Sequence, residues 1–125
     1  MTLLTDIANY IDAQTSLTKG TDLFIGTLPA NIDNCVGIFQ SGGVEPTTYL
    51  DIIKPTIQVL VRNTNYETAQ QLAYEIYDLM HQIYNTTLGG TYIYTIFALQ
   101  EPTDIGEDET GRAVFTGNYV LEVHN

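Results

Sequence analysis

The chain of 125 residues carries 15 acidic residues against only 4 lysines and arginines, so its formal net charge at pH 7 is -11. A length of this order predicts a single domain over residues 1–125. Four scattered cations cannot neutralise a run of phosphates, so the composition argues against tight binding to nucleic acid or to an anionic membrane. The lone cysteine excludes an intramolecular disulfide.

The first predicted elements are one helix and two short strands. Apolar residues at helical spacing predict an amphipathic helix from residue 2 to about residue 14. Strands are predicted at residues 22–28 and 35–40, with a turn between them. Residues 41–53 are predicted to form a long loop, and loops of this length are usually functional or mobile.

The strongest strand signals flank the centre of the chain. Residues 54–62 alternate apolar and polar side chains, which predicts a strand with one buried face. Residues 91–100 are rich in β-branched and aromatic side chains and predict another strand. Between them, Gly89-Gly90 is expected to end a helical unit.

That helical unit is predicted to start at a capping box and to run for about five turns. Thr64 and Glu67 have capping-box spacing, and the helix is expected to continue to residue 85. At about 100° per residue, one face is apolar and predicted to pack on the sheet. It comprises Ala69, Leu72, Ala73, Ile76, Leu79, Met80 and Ile83. Three tyrosines line a flank between the apolar and polar faces and are candidate subunit-interface residues: Tyr66, Tyr77 and Tyr84.

An acidic stretch, residues 101–111, is predicted to be a linker outside the packed core. Uncompensated buried charges each cost several kcal/mol, so its carboxylates cannot all be buried. They are Glu101, Asp104, Glu107, Asp108 and Glu109. Residues 112–123 alternate and predict the last strand. In the order α-β-β-β-α-β-β, we predict an α+β fold of two or three layers, with two helices packed on a mixed, mainly antiparallel five-stranded sheet.

The sequence lacks the motifs of catalysis and of cofactor binding. No glycine-rich phosphate loop or dinucleotide fingerprint occurs. His81 and His124 lie far apart, and one cysteine cannot build a structural zinc site. The acidic stretch matches a calcium loop in acidity but not in spacing. We therefore predict no catalytic residue, no cofactor and no metal, and a protein that is not an enzyme.

Several segments together resemble a family of small phage proteins. These are the minor capsid proteins of phages of Gram-positive hosts, which are structurally akin to the tail terminators of long-tailed phages. The similar segments are residues 26–29 (GTLP), 42–43 (GG), 54–62 (KPTIQVLVR), 66–83 (YETAQQLAYEIYDLMHQI), 98–102 (ALQEP) and 105–123 (IGEDETGRAVFTGNYVLEV). They keep their order and span most of the chain beyond Gly26.

The resemblance implies a tail terminator that forms a homo-oligomeric ring, a hexamer. Such a ring caps the tail tube, contacts the major tail tube protein and offers a docking face to the head connector or stopper protein. DNA passes through the lumen without specific binding, which the excess negative charge would serve. The candidate acidic loop then faces the lumen or a partner. The protein would belong to the virion tail or neck and assemble in the host bacterial cytoplasm, without contact to a membrane.

Two alternatives differ from this interpretation. One is another neck protein, such as a head-completion or stopper subunit. The other is a small acidic inhibitor that mimics DNA, which needs its carboxylates arrayed on one face at phosphate-like spacing. Here five acids cluster in one loop and the others are dispersed.

The N-terminus lacks the basic segment of a signal peptide, and no apolar run approaches the roughly 18 residues of a membrane span, so cytosolic synthesis is expected.

Overall fold

The computed structural model describes residues 2–44, 51–81 and 83–124. This part of the chain contains two helices and seven strands. In chain order they are α1 (Leu3–Gln14), β1 (Leu23–Ile25), β2 (Cys35–Val44), β3 (Ile52–Asn63), α2 (Tyr66–His81), β4 (Tyr84–Leu88), β5 (Thr91–Ala98), β6 (Thr103–Glu107) and β7 (Ala113–His124).

The strands form one sheet in the order β1-β2-β3-β7-β5-β4, and β6 pairs with β7 off this path. β1 and β2 are parallel, whereas every other described pair of neighbours is antiparallel. The prediction of two helices on a mixed, mainly antiparallel sheet is confirmed. The predicted count of five strands and the predicted element order are wrong, because they lack β4 and β6.

The centre of the sheet is the ladder between β3 and β7, which are 12 residues long each. It runs from Ile52 opposite His124 to Asn63 opposite Ala113. Alternate residues of both strands are buried, and they share one core with the buried faces of α1 and α2, so both helices cover the same face. Because α1 contacts β1 and β2 near one edge and β4 at the other, the sheet curls around the helices.

Helix α2 packs on the sheet through the predicted apolar face, where Ala69, Ala73, Ile76 and Met80 are buried. Its start differs from the prediction. The side chain of Asn65 caps the helix by accepting the backbone N–H of Thr68 at 3.0 Å. The predicted capping box of Thr64 and Glu67 is therefore wrong by one residue at the cap.

The end of α2 also differs from the prediction, since the helix stops at His81 rather than at residue 85. Tyr84–Leu88 instead forms β4, which pairs with β5. Leu88 lies opposite Thr91, so Gly89-Gly90 is a two-residue hairpin loop. Gly89 has φ 58°, a left-handed conformation that favours glycine.

The predicted loop at residues 41–53 is shorter than expected on both sides. β2 continues to Val44 and β3 begins at Ile52. The ladder between these strands contains an irregularity between Gln40 and Gly43, which lets β2 continue past Gly42-Gly43. Residues 45–50 of the predicted loop lie outside the described residues.

The acidic stretch contains a strand rather than a linker. β5 pairs with the C-terminal part of β7 and β6 with its N-terminal part, so both lie along the same edge of β7. Ala98 lies opposite Tyr119 and Thr103 opposite Thr116. β5 and β6 therefore act as one long strand with a bulge between them.

Candidate interaction site

Two buried arginines anchor the acidic stretch to the fold. Arg62 is near the end of β3 and only 5% exposed, and Arg112 immediately precedes β7 and is 7% exposed. Arg62 lies opposite Val114 in the central ladder, so the two arginines are close together at one end of the sheet. Half of the four cations of the chain are thus buried rather than on the surface.

Asp108 joins these arginines and closes the turn before β7. Its Oδ2 atom accepts a hydrogen bond from Arg112 Nε at 2.7 Å and lies 3.9 Å from Arg62 Nε. Its Oδ1 atom accepts from the backbone N–H groups of Thr110 and Arg112, each at 3.0 Å. These hydrogen bonds, led by that of the Arg112 backbone N–H, lower the pKa of Asp108 to about 2. The charge of Asp108 is therefore compensated within the protein.

The same arginines hold the loop between β1 and β2. The Arg62 side chain donates from Nη2 to the carbonyl oxygens of Pro29 and Ile32. Arg112 Nη1 donates to the carbonyl oxygen of Ala30 at 2.8 Å and lies 3.3 Å from Asp33 Oδ1. A guanidinium group offers five donors in a fixed fork, so one arginine can fasten several carbonyl groups.

The other four acids of the candidate loop have a different environment. Glu101, Asp104, Glu107 and Glu109 are exposed, and within the described residues none of them forms an ion pair. Asp104 and Glu107 lie in β6, whereas Glu101 precedes it and Glu109 lies in the turn after it. Of the five acids that the sequence grouped together, Asp108 thus pairs with arginines of the fold, and the other four are surface charges.

The three candidate interface tyrosines do not share one flank. Tyr66 and Tyr77 lie on α2, but Tyr84 lies on the edge strand β4 and is 69% exposed. Tyr77 is half-buried and stacks on His81, with ring centroids 5.2 Å apart.

Tyr66, one of the candidate interface tyrosines, contacts Asp104 of the candidate acidic loop. Its ring packs on Phe115 with centroids 5.2 Å apart, and its hydroxyl donates to Asp104 Oδ2 at 2.9 Å. This hydrogen bond to a carboxylate raises the pKa of Tyr66. The first turn of α2 therefore lies beside β6.

Three large exposed apolar side chains lie in β5, in the segment just after it and in β6. Phe97 is 49% exposed, Leu99 is 59% exposed and Ile105 is 54% exposed. Phe97 lies opposite Val120 of β7, and Val120 lies opposite Thr56 of β3, on the face that the helices do not cover. Exposed apolar side chains near one edge of a sheet are candidates for an interaction site.

Sequence reasoning missed Arg62, Arg112, Phe97 and Leu99 as parts of this site. Arg62 occupies a polar position of the β3 alternation, which predicts exposure. Only the loop that folds over it, about thirty residues away in sequence, buries it. A usable signal was that two of the four cations are arginines, because arginine is preferred over lysine in buried ion pairs.

The described residues include a small cleft. A cleft of about 270 Å³ between α2 and the start of β2 is lined mainly by polar residues, including Asp22, Asn63 and Glu75. Cys35 also borders it, and burial raises the pKa of this thiol. In ranges 2–44, 51–81 and 83–124, no three His, Cys, Asp or Glu side chains are placed to hold a metal ion. Neither described helix has the length and apolar character needed to cross a membrane.

The curled sheet, the two helices on one of its faces and the exposed strand β6, which carries acids and Ile105, are the features that the described residues bring to this candidate site. A family model of the bacteriophage tail terminator protein matches residues 10–125. The chain therefore belongs to the bacteriophage tail terminator family, as the resemblance implied, and is a structural component of a phage tail.

A solved structure has the same fold. A chain of the structure titled "Virion of native gene transfer agent (GTA) particle" superposes with a TM-score of 0.65 at 11% sequence identity. The alignment covers 85% of this chain and 81% of that chain. At this identity the likeness shows the fold alone. A search of curated protein sequences found no match.

Proposed function

We propose that the protein forms a closed ring, a hexamer, which caps the tail tube and presents a docking surface to the head connector or stopper protein. The family match over residues 10–125 carries this proposal. A head-to-tail interface whose rotation closes generates a ring. A ring with one face complementary to the tube and a different opposite face ends an otherwise open stack.

Tyr84 is the strongest of the proposed subunit contacts, with Tyr66 and Tyr77 as further candidates. It is the most exposed large apolar side chain among the described residues, and it lies on β4, an edge of the sheet. Tyrosine is enriched at protein interfaces because it combines apolar area with a polar tip. An edge strand also offers unpaired backbone groups to a neighbour.

The four exposed acids of the loop are proposed to face either the lumen or a partner. In the lumen they would repel DNA, so that it passes without specific binding. On an axial face they would contact the tube protein or the head connector. The proposed role needs no catalytic turnover, cofactor or membrane, and assembly would take place in the host bacterial cytoplasm.

The ring is tested by native mass spectrometry and negative-stain electron microscopy of the full chain, alone and with purified tail tubes. We expect closed rings in at least one of these conditions, seated at one end of each tube. A chain that stays strictly monomeric even with tubes present would contradict the proposal.

The interface is tested with Tyr84→Ala, which should weaken ring formation without lowering the midpoint of thermal unfolding, because the side chain contributes little to the core. Thr87→Ala is the matched control, since Thr87 is exposed on the same strand but removes little apolar area. Equal ring formation by wild type and Tyr84→Ala would exclude Tyr84 from the interface.

A further inference from the structure

The outer edge of β6 is unoccupied within the described residues. β6 pairs with β7 on one side only, and all five of its residues are exposed. Successive residues of a strand direct their backbone groups to alternate sides. The ladder with β7 is irregular between Asp104 and Glu107, and the Gly106 N–H donates to Asp104 Oδ1 at 2.8 Å. Other N–H and C=O groups of β6 point away from β7, where they can pair with an added strand.

Edge protection alone does not explain the composition of this edge. Natural edge strands avoid unwanted pairing by carrying charges, and Asp104 and Glu107 fit that role. Exposed aliphatic and aromatic side chains have the opposite effect, yet Ile105 lies within β6, and Phe97 and Leu99 lie just before it on the same edge of β7. The edge thus combines unpaired backbone, apolar side chains and negative charge.

The charge of this edge argues against a second copy of the same chain as its occupant. The copy would bring its own excess of acids to the surface. Arg62 and Arg112 are buried, so the described surface has only Lys19 and the half-buried Lys54 to offer as complementary cations. A partner that complements Glu101, Glu107 and Glu109 must carry several basic residues itself.

We propose that β6 is a docking strand for an extended, basic segment of a different protein. The segment adds to the sheet beside β6 through main-chain hydrogen bonds. Its basic side chains lie against the exposed acids, and its apolar side chains lie against Ile105 and Leu99. This inference rests on the proposed function, which places that partner at the head–tail joint. The docking itself does not require a ring.

The test uses the isotope-labelled full chain and a synthetic octapeptide of alternating lysine and valine as the probe. Binding is followed by the NMR shifts of the backbone amides. We expect the largest shifts at Thr103–Glu107 and in the part of β7 that pairs with it. A peptide of the same sequence, N-methylated along the edge that would pair with β6, should show no such shifts, because it keeps the charge but cannot form the ladder.

Charge is tested with the triple variant E101Q, E107Q and E109Q, which leaves Asp108 and Asp104 in place. We expect it to bind the lysine–valine peptide at least about tenfold more weakly. The matched variant E67Q, E75Q and D78N removes the same charge from the exposed face of α2 and should bind within about twofold of wild type.

The proposal would be overturned if the amides showed no shifts at about 1 mM peptide or if the shifts were centred away from β6. It would also be overturned if the N-methylated peptide bound as tightly as the unmodified one, or if the triple variant bound the peptide as tightly as wild type. Self-association of the chain through β6, revealed by the same amide shifts on concentration, would make a second copy the occupant instead. Ring formation is measured separately by sedimentation, so failed docking and failed ring assembly are distinguishable.

Discussion

At the scale of single residues, two polar contacts that involve buried side chains fasten distant parts of the chain. Asp108 connects the turn before β7 to Arg112 and Arg62, and Asp6 connects α1 to the β4–β5 hairpin. Asp6 is buried and its Oδ2 atom accepts hydrogen bonds from the hydroxyl groups of Thr2 at 2.8 Å and Thr91 at 2.6 Å. Such buried groups cost stability when one partner is removed, because the other loses its hydrogen bond.

The Asp108 contact predicts a specific pH dependence. The pKa of Asp108 is lowered in the folded state, so its contribution to stability is present above the ordinary aspartate pKa of about 3.9 and is lost as the pH falls towards about 2. Asp108→Asn should therefore lower the urea midpoint at pH 7, and the difference from wild type should shrink between about pH 4 and pH 2.

The control for that series is Glu109→Gln, which neutralises an exposed neighbour that forms no ion pair in the described residues. It should leave the urea midpoint nearly unchanged at every pH. A constant deficit of Asp108→Asn from pH 7 to pH 2 would show that its contribution does not depend on ionisation.

The hairpin glycines provide a second residue-scale prediction. A Cβ atom at Gly89 would lie 2.2 Å from Asp6 Oδ1, and φ at Gly89 is 58°. Gly89→Ala should lower the free energy of unfolding by on the order of 1–3 kcal/mol. The alanine would have to adopt a left-handed conformation, and its Cβ atom would displace the buried carboxylate of Asp6. At Gly90 the nearest atom is Thr2 Oγ1 at 3.8 Å, an ordinary contact, so Gly90→Ala is the matched control. Chemical denaturation that ranks the two variants equally would contradict this account.

At the scale of elements, the predictions succeeded where the signal was local. The alternation in β3 and β7 and the apolar stripe of α2 are patterns within a single stretch of sequence. The structure buries the faces that these patterns predict. β6 escaped prediction because it contains two acids and a glycine and is exposed throughout. It becomes a strand only because β7 offers it an edge. The sequence grouped the five acids of the candidate loop, and their role stays a prediction. It did not connect them with Arg62, whose contacts come from residues far apart in sequence.

The orientation of α2 is open to a direct mutational test. Ile76 is 1% exposed, so Ile76→Ala should cost on the order of 2–5 kcal/mol through lost burial and a cavity. Glu75 is its exposed neighbour, and Glu75→Ala should cost well under about 1 kcal/mol. Urea melts with the reverse order would mean that α2 presents its other face to the sheet.

At the scale of the whole molecule, the net charge of -11 opposes any close association of identical chains. If the proposed ring forms, salt should favour it by screening this repulsion. Sedimentation velocity at about 0.02 M and about 0.5 M sodium chloride should show a larger assembled fraction at the higher concentration. Dissociation by salt would instead indicate that ion pairs hold the subunits together.

The position of the central ladder also sets the order in which the protein can fold. β7 follows all other described elements in the chain, yet it is the strand between β3 and β5, and its pairing with β3 joins Asn63 to Ala113 and Ile52 to His124. Contacts between such distant residues form slowly, because a long loop must close first. During synthesis, β3 and β5 therefore keep one open edge each until β7 leaves the ribosome, and no subunit can complete its sheet before β7 is made.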